Sequence, residues 1–164
     1  MADRPRLLVY IDGGSKGNPG PAACAAVVKT ADDGQTVLDR GEYLGEATNN
    51  VAEYEGLLLG LRLAADLKAG EIEVRSDSEL LVRQLTGEYR VKNERLKDLH
   101  AEVRRRIEDF AGVEIRHVPR EENIEADRLV NETIRLHRAG GKPAAPAKGG
   151  RQPPPGTGGA FRLK

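Results

Sequence analysis

The chain has 164 residues, of which 38% are hydrophobic, enough to bury one ordinary core but not two independent ones. Basic and acidic residues number 26 each, so the overall charge indicates no class of partner. No apolar run approaches the roughly 20 residues that span a bilayer, and residues 1–6 lack the apolar stretch of a signal peptide. We therefore expect a cytoplasmic protein without a membrane partner.

The charged residues are divided unevenly along the chain. All 26 acidic residues precede Gly140, and residues 140–164 are mostly Gly, Pro, Ala and basic residues. This composition buries too little apolar surface to offset the entropy lost on ordering. We predict a folded domain at residues 1–139 and a disordered basic tail at 140–164, with an anchoring contact by Phe161 and Leu163 left open. The five basic residues of the tail are Lys142, Lys148, Arg151, Arg162 and Lys164.

Cysteine and histidine are too sparse to predict a zinc site. Cys24 is the only cysteine and lies among small apolar residues, so it forms neither an internal disulfide nor a Cys-x-x-Cys site. The three histidines, His100, His117 and His137, are not spaced as metal ligands. Any metal is therefore expected to have oxygen ligands, which suits magnesium or manganese.

The first third of the chain predicts three strands. Residues 7–11 are a continuous apolar run closed by Asp-Gly-Gly, as expected of a central strand buried on both faces. Residues 22–29 and 36–44 flank an Asp-Asp-Gly turn signal and predict an antiparallel meander.

The remainder alternates between helices and strands. At residues 49–67 apolar side chains recur at three- and four-residue spacing, which predicts an amphipathic helix. Ser78 and Asn93 are the expected N-caps of two later helices. The predicted order is βββαβααβα, which is an α/β arrangement. The later strands are predicted at 71–77 and 113–118, and the later helices at 78–85, 93–110 and 123–138.

Two acidic residues, Asp12 and Asp77, end the first and fourth predicted strands. If these strands are neighbours, the two carboxylates meet at one edge of the sheet, where ligand sites in mixed α/β sheets commonly form. Carboxylates at strand ends are also common as turn formers and helix caps, so the pair alone does not establish a site.

Two further acidic residues lie on predicted helices. Glu53 is in the first turns of its helix, where a carboxylate is favourable near the positive helix end. Asp127 borders the apolar stripe of the last helix, where an unpaired carboxylate is costly. A metal ion satisfies Asp127, and so does a structural ion pair with Arg120, Arg128 or a lysine.

Four short motifs surround these acids. Asp12 begins Asp-Gly-Gly-Ser-Lys-Gly-Asn-Pro-Gly, and Glu53 ends Thr-Asn-Asn-Val-Ala-Glu. Asp77 lies within Ser-Asp-Ser-Glu-Leu, and Asp127 ends Asn-Ile-Glu-Ala-Asp. In this order and spacing they resemble the type 1 ribonuclease H family, in its short-looped prokaryotic form, over residues 6–139. The resemblance implies a ribonuclease H-like mixed five-stranded sheet flanked by helices, with residues 1–139 as the catalytic domain.

The resemblance also implies a function. Asp12, Glu53, Asp77 and Asp127 would hold two Mg²⁺ ions, with Mn²⁺ as a substitute, because four clustered carboxylates repel one another strongly without cations. The family hydrolyses the RNA strand of RNA/DNA hybrids as a metal-dependent endonuclease and leaves 5′-phosphate and 3′-hydroxyl ends. We expect a monomer that binds the hybrid and needs no obligate protein partner.

The resemblance also implies which residues contact the hybrid. They are Asn18, Thr48, Asn49, Asn50 and Glu79, although better-known members of the family have an amide at the position of Glu79. Asparagine side chains can reach 2′-hydroxyls and base edges in a shallow minor groove. Thr48 suits a phosphate of the DNA strand. Helix capping is the alternative for Asn49 and Asn50, and we expect it to explain at least one of them.

His117 departs from the family pattern. Many members place a histidine on a glycine-containing loop before the last helix, and residues 118–122 are too short for such a loop. Counting back from Asp127 without gaps puts His117 near that histidine, whereas aligning the strands puts it inside residues 113–118. We favour the strand, which leaves His117 as an auxiliary group at most.

The basic protrusion of the family is also not evident in this sequence. Two alternatives remain for a group of basic residues in its place: they bind phosphates of the substrate, or they form a solvent-exposed helix face. These residues are Arg83, Arg90, Lys92, Arg95 and Lys97.

Two other functions stay open. A non-catalytic hybrid-binding module can share this fold, but it would be expected to lack a metal ligand, and all four acids are present. A junction-cleaving or integrase-like nuclease usually needs additional segments, for which the chain has little spare length. Double-stranded RNA stays open as a second substrate, since some short-looped relatives cleave it.

Overall fold

The central strand of this computed structural model, which describes residues 4–138 and 159–164, is β1 at Arg6–Ser15. Its apolar residues from Leu7 to Ile11 are at most 4% exposed, because helices cover both faces of the sheet. The other strands are β2 Gly20–Thr30, β3 Thr36–Ala47, β4 Glu71–Ser76, β5 Gly112–His117 and β6 Phe161–Arg162. β1 pairs antiparallel with β2 and parallel with β4, and the six strands form one mixed sheet in the order β3-β2-β1-β4-β5-β6.

Helices pack on the two faces of the sheet. α1 at Asn49–Asp66 lies against β1 and β2 over the larger part of the core, and α3 at Glu94–Ile107 packs on α1. α4 at Ile124–Arg138 covers the opposite face of β1, β2 and β3, where the alanines of β2 permit a close approach. The short helix α2 spans Glu79–Leu85, and a 3₁₀ turn at Arg120–Glu122 leads into α4. Among the described helices, none combines the length and apolar character of a membrane span.

The predicted order of elements is confirmed up to the end of α4, together with the N-caps Ser78 and Asn93. The strand β1 is longer than predicted: it continues through Asp12 to Ser15 because β2 keeps pairing with it. Helix α1 is capped by neither Asn49 nor Asn50. Instead the Thr48 hydroxyl accepts a hydrogen bond from the Val51 amide at 3.2 Å, so the capping interpretation of the two asparagines was wrong.

The end of the chain differs most from the prediction. β6 pairs antiparallel with β5, with Ile115 opposite Phe161, so the sheet has six strands rather than five. Leu163 packs against the core and the Lys164 ammonium donates to the Glu108 carbonyl at 2.7 Å. The prediction of disorder was therefore wrong for residues 159–164, because β5 has an open edge whose backbone groups β6 can pair. Residues 139–158 lie outside the described residues, and the domain boundary at 139 stays a prediction.

Candidate active site

Two carboxylates meet where β1 and β4 stop pairing. The last parallel pair of these strands is Ile11 with Ser76, so Asp12 and Asp77 are the next residues along two neighbouring strands. Glu53 joins them from the first turns of α1. One oxygen of each of the three carboxylates lies within 4.8 Å of the other two. Three acids distant in sequence thus form one cluster.

Glycine explains how α1 brings Glu53 so close to the sheet. A Cβ atom built on Gly13 would lie 2.2 Å from the carbonyl carbon of Ala52, and one built on Gly56 would lie 2.5 Å from the carbonyl oxygen of Asp12. Both distances are shorter than any real Cβ contact, so only glycine allows the helix and the strand to touch backbone to backbone. The glycine after Asp12 therefore sets the position of Glu53.

Asp127 reaches the cluster from the first turn of α4. Its charge is one of the causes that raise the pKa of Asp12, so the two carboxyl groups lie close together. Asp127 lines the same cavity of about 360 Å³ as the other three acids. It lies outside the group of three whose oxygens are within 4.8 Å of one another.

Burial of this cluster disfavours its charged form. Desolvation, and then the charges of Asp77 and Asp127, raise the pKa of Asp12 from 3.8 to about 8. Desolvation is also the first cause that raises the pKa of Glu53, followed by the charge of Asp12. The pKa of Asp77 rises for the same first reason. Without a cation, the cluster is therefore not stable as a set of anions at neutral pH.

The residues present fit a hard divalent cation. All the donors are carboxylate oxygens, as magnesium and manganese prefer. The Oε2 atom of Glu53 is buried and has no hydrogen-bond partner among the described residues. A buried oxygen without a partner costs free energy unless an ion or a water molecule binds it. Asp12, Glu53 and Asp77 would hold such an ion, with Asp127 beside them.

Arg120 lies at the rim of the cavity and faces the acids. Its guanidinium opposes the rise in the pKa of Asp77 and of Glu53, so it favours their ionised forms. The sequence suggested Arg120 only as a partner of Asp127. No sequence signal gives the direction of this side chain, because it depends on the 3₁₀ turn that joins β5 to α4.

The predicted contacts with nucleic acid fall on one side of the carboxylates. Asn49 and Asn50 line the carboxylate cavity, and Asn18, Thr48 and Asn50 line an adjoining groove of about 580 Å³. The Asn18 side-chain oxygen accepts from the Asn49 amide at 3.0 Å, which connects the turn after β1 to α1. Glu79 does not line the carboxylate cavity; it begins α2 and its exposed side chain pairs with Arg83 at 2.8 Å.

His117 is the last residue of β5, as the strand alignment predicted. Its Nε2 atom lies 3.3 Å from the backbone carbonyl of Asp77. The imidazole is also close enough to help lower the pKa of Asp77, against the larger effect of burial. His117 thus supports the strand end that carries Asp77 rather than lying on a loop.

Fold and site together define an α/β domain with a buried acidic cluster, able to hold a metal ion, at the ends of two neighbouring strands of a mixed sheet. A family model described as reverse transcriptase-like matches residues 10–133. The chain therefore belongs to this family, and its domain is ribonuclease H-like.

Named relatives agree with this assignment. The chain is 42% identical over 129 residues to the bifunctional protein Rv2228c of Mycobacterium tuberculosis, an alignment that covers 79% of this chain and 35% of that protein. The chain thus spans about a third of the length of this curated relative. The RNase H1 of the halophilic archaeon Halobacterium salinarum superposes with a TM-score of 0.77 at 42% identity, covering 79% of this chain and 98% of the other. LC11-RNase H1, solved in complex with an RNA/DNA hybrid, gives a TM-score of 0.77 at 40% identity, covering 80% and 99%.

Proposed function

We propose that this chain is a ribonuclease H, a metal-dependent endonuclease that hydrolyses the RNA strand of RNA/DNA hybrids. The observation that carries the proposal is the cluster of Asp12, Glu53 and Asp77, with Asp127 beside it, in a fold that RNase H1 structures share at 40–42% identity. Of the relatives, LC11-RNase H1 is described in complex with a hybrid. The products would carry 5′-phosphate and 3′-hydroxyl ends.

The four carboxylates would hold two Mg²⁺ ions, with Mn²⁺ as a substitute. When bound, such ions would supply the charge that activates a water and stabilises the departing oxygen of a phosphodiester. The protein fixes the positions of the ligands: Gly13 and Gly56 let α1 approach β1, which keeps Glu53 beside Asp12. Arg120 favours the ionised forms of Glu53 and Asp77, the forms that a cation needs.

Recognition of the hybrid would rest on the amides beside the site. Asn49 and Asn50 border the carboxylate cavity, where they can reach the 2′-hydroxyls that distinguish RNA from DNA. Asn18 and Thr48 line the adjoining groove. We propose that this groove binds the phosphate backbone of the DNA strand. Glu79, further away and paired with Arg83, is the weakest member of this proposed set. We also propose a cytoplasmic monomer with a catalytic domain at residues 1–139.

The test is a cleavage assay with three substrates of one sequence: an RNA/DNA hybrid, double-stranded RNA and duplex DNA, each labelled on one strand. The proposal predicts Mg²⁺-dependent cutting of the RNA strand of the hybrid, with products that a ligase or kinase assay identifies as 5′-phosphorylated. Cutting of duplex DNA in preference to the hybrid would favour the junction-cleaving or integrase-like alternative. Hybrid binding without cleavage in either metal would favour a non-catalytic module.

A further inference from the structure

One face of α4 extends the site away from the carboxylates. Asp127, Asn131, Arg135 and Arg138 follow one another at intervals of four, four and three residues, so they share one side of the helix. This stripe runs about 16 Å along the helix axis from Asp127 to Arg138. Lys16, from the turn after β1, joins it by donating to the Asn131 side-chain oxygen at 2.8 Å. We call Lys16, Arg135 and Arg138 the basic strip.

The basic strip borders a groove that is continuous with the carboxylate cavity. The groove has a volume of about 440 Å³, and all three residues of the strip line it. Lys16, Asn131 and Ile134 line both this groove and the carboxylate cavity. A nucleic-acid strand that leaves the carboxylates along α4 therefore passes directly over the strip.

The cations of the basic strip are available to an anion. Among the described residues, Arg135 makes one ion pair, a long one with Glu132 at 3.9 Å, and its side chain is 68% exposed. Within residues 4–138 and 159–164, neither Lys16 nor Arg138 has an ion pair with a carboxylate within 4 Å. Exposed pairs of this kind contribute little, so a phosphate group can replace Glu132 as the partner of Arg135 at small cost.

The position of the strip indicates which strand it meets. The carboxylate cavity lies between two grooves: it shares Asn50 with the groove of Asn18 and Thr48, and it shares Lys16 and Asn131 with the groove of the strip. If the α1 side takes the DNA strand, the strand whose phosphate reaches the carboxylates continues on the α4 side. That strand is the RNA strand.

We propose that the basic strip binds backbone phosphates of the RNA strand beyond the position of cleavage, an inference that rests on the proposed function. The chemistry is that of phosphodiester recognition by arginine and lysine, without base contacts. It raises the affinity of a domain in which 26 acidic residues outnumber the basic ones. It takes no part in the chemical step.

The double variant Arg135→Gln/Arg138→Gln tests this proposal. We expect its KM for a hybrid at low salt to rise about threefold to tenfold, with kcat within twofold of wild type. The slope of log(kcat/KM) against log salt should fall by roughly 0.7 to 0.9 for each phosphate that the variant no longer binds. The matched control is Arg105→Gln/Arg106→Gln, which removes two exposed arginines from the far end of α3. Equal KM values for the two double variants would overturn the proposal.

Hybrids with one strand extended as a single strand identify the strand that is bound. We expect the double variant to lose any advantage that an RNA extension gives wild type, and to keep that of a DNA extension. Loss of the DNA advantage instead would overturn the assignment to the RNA strand. If wild type and variant cleave the hybrid equally at every salt concentration, the role of the basic strip is overturned and the proposed function is not. If wild type cleaves no hybrid, both proposals are overturned.

Discussion

Asn123 donates a hydrogen bond from its side-chain amide to the backbone carbonyl of Ile11, at 2.8 Å and across 112 residues. Ile11 directly precedes Asp12 in β1. The carbonyl of Asn123 in turn accepts from the Asp127 amide at 3.1 Å, where α4 begins. Asn123 is 1% exposed. It therefore connects β1, which carries Asp12, to α4, which carries Asp127, through the protein interior.

We expect Asn123→Ala to lower kcat by about tenfold or more and to raise the Mg²⁺ concentration needed for half-maximal activity. The reason is that groups which orient ligands typically affect metal affinity or activity by about 10- to 100-fold. The control is Gln84→Ala, which removes a buried amide that accepts from the Tyr54 hydroxyl at 2.7 Å and does not line the carboxylate cavity. Magnesium titrations of both variants check the prediction, and a similar shift in the two would contradict it.

The metal-free protein should lose stability as the pH rises. Because Asp12 has a pKa raised from 3.8 to about 8, the folded state holds a proton there that the unfolded chain releases above about pH 4. The free energy of unfolding should therefore fall between about pH 4 and pH 8, with a slope approaching about 1.4 kcal/mol per pH unit for one such group.

Denaturant unfolding in EDTA across this pH range measures the effect. Asp12→Asn should flatten the dependence, and it should raise stability at pH 8. The exposed Asp66→Asn is the matched control, with a pH dependence that follows wild type. A wild-type stability that rises from pH 4 to pH 8 would contradict the raised pKa of Asp12.

His117→Ala should slow turnover less than about tenfold. The histidine lies at the end of β5 and contacts the Asp77 backbone, so its loss loosens a strand end without removing a ligand. Steady-state kinetics at saturating hybrid, beside Asp12→Asn, check this. A reduction as large as that of Asp12→Asn would assign His117 a direct part in the chemistry.

Sequence periodicity was sufficient for the order of elements up to α4, because each of those helices and strands is long enough to show its own pattern. It could not find β6, since two paired residues have no period and are recognised only by the open edge of β5. The motifs indicated the four acids. The hydrogen bond from Asn123 to Ile11, the direction of Arg120 and the close approach at Gly13 depend on tertiary packing between distant segments, which no local pattern records.

The basic tail should add electrostatic affinity and no chemistry. Replacing Lys142, Lys148 and Arg151 by Gln should flatten the salt dependence of hybrid binding by roughly 0.7 to 0.9 for each phosphate that is no longer neutralised, with kcat and unfolding unchanged. Deleting residues 140–164 is a poorer test, since it also removes β6 and Leu163, at a cost on the order of 1–3 kcal/mol in stability. Identical salt slopes for wild type and the triple variant would show that these charges are inert.

Turnover of Asp77→Asn at saturating hybrid and Mg²⁺ tests whether these carboxylates carry out metal-dependent cleavage. An amide in place of this carboxylate supplies too little charge to hold a divalent ion, so cleavage should be abolished. Circular dichroism and a melting temperature at or above that of wild type should show an intact fold, because removing one of several clustered like charges relieves repulsion. Asp66→Asn should retain full activity. Near-normal turnover by Asp77→Asn would show that cleavage does not depend on this carboxylate.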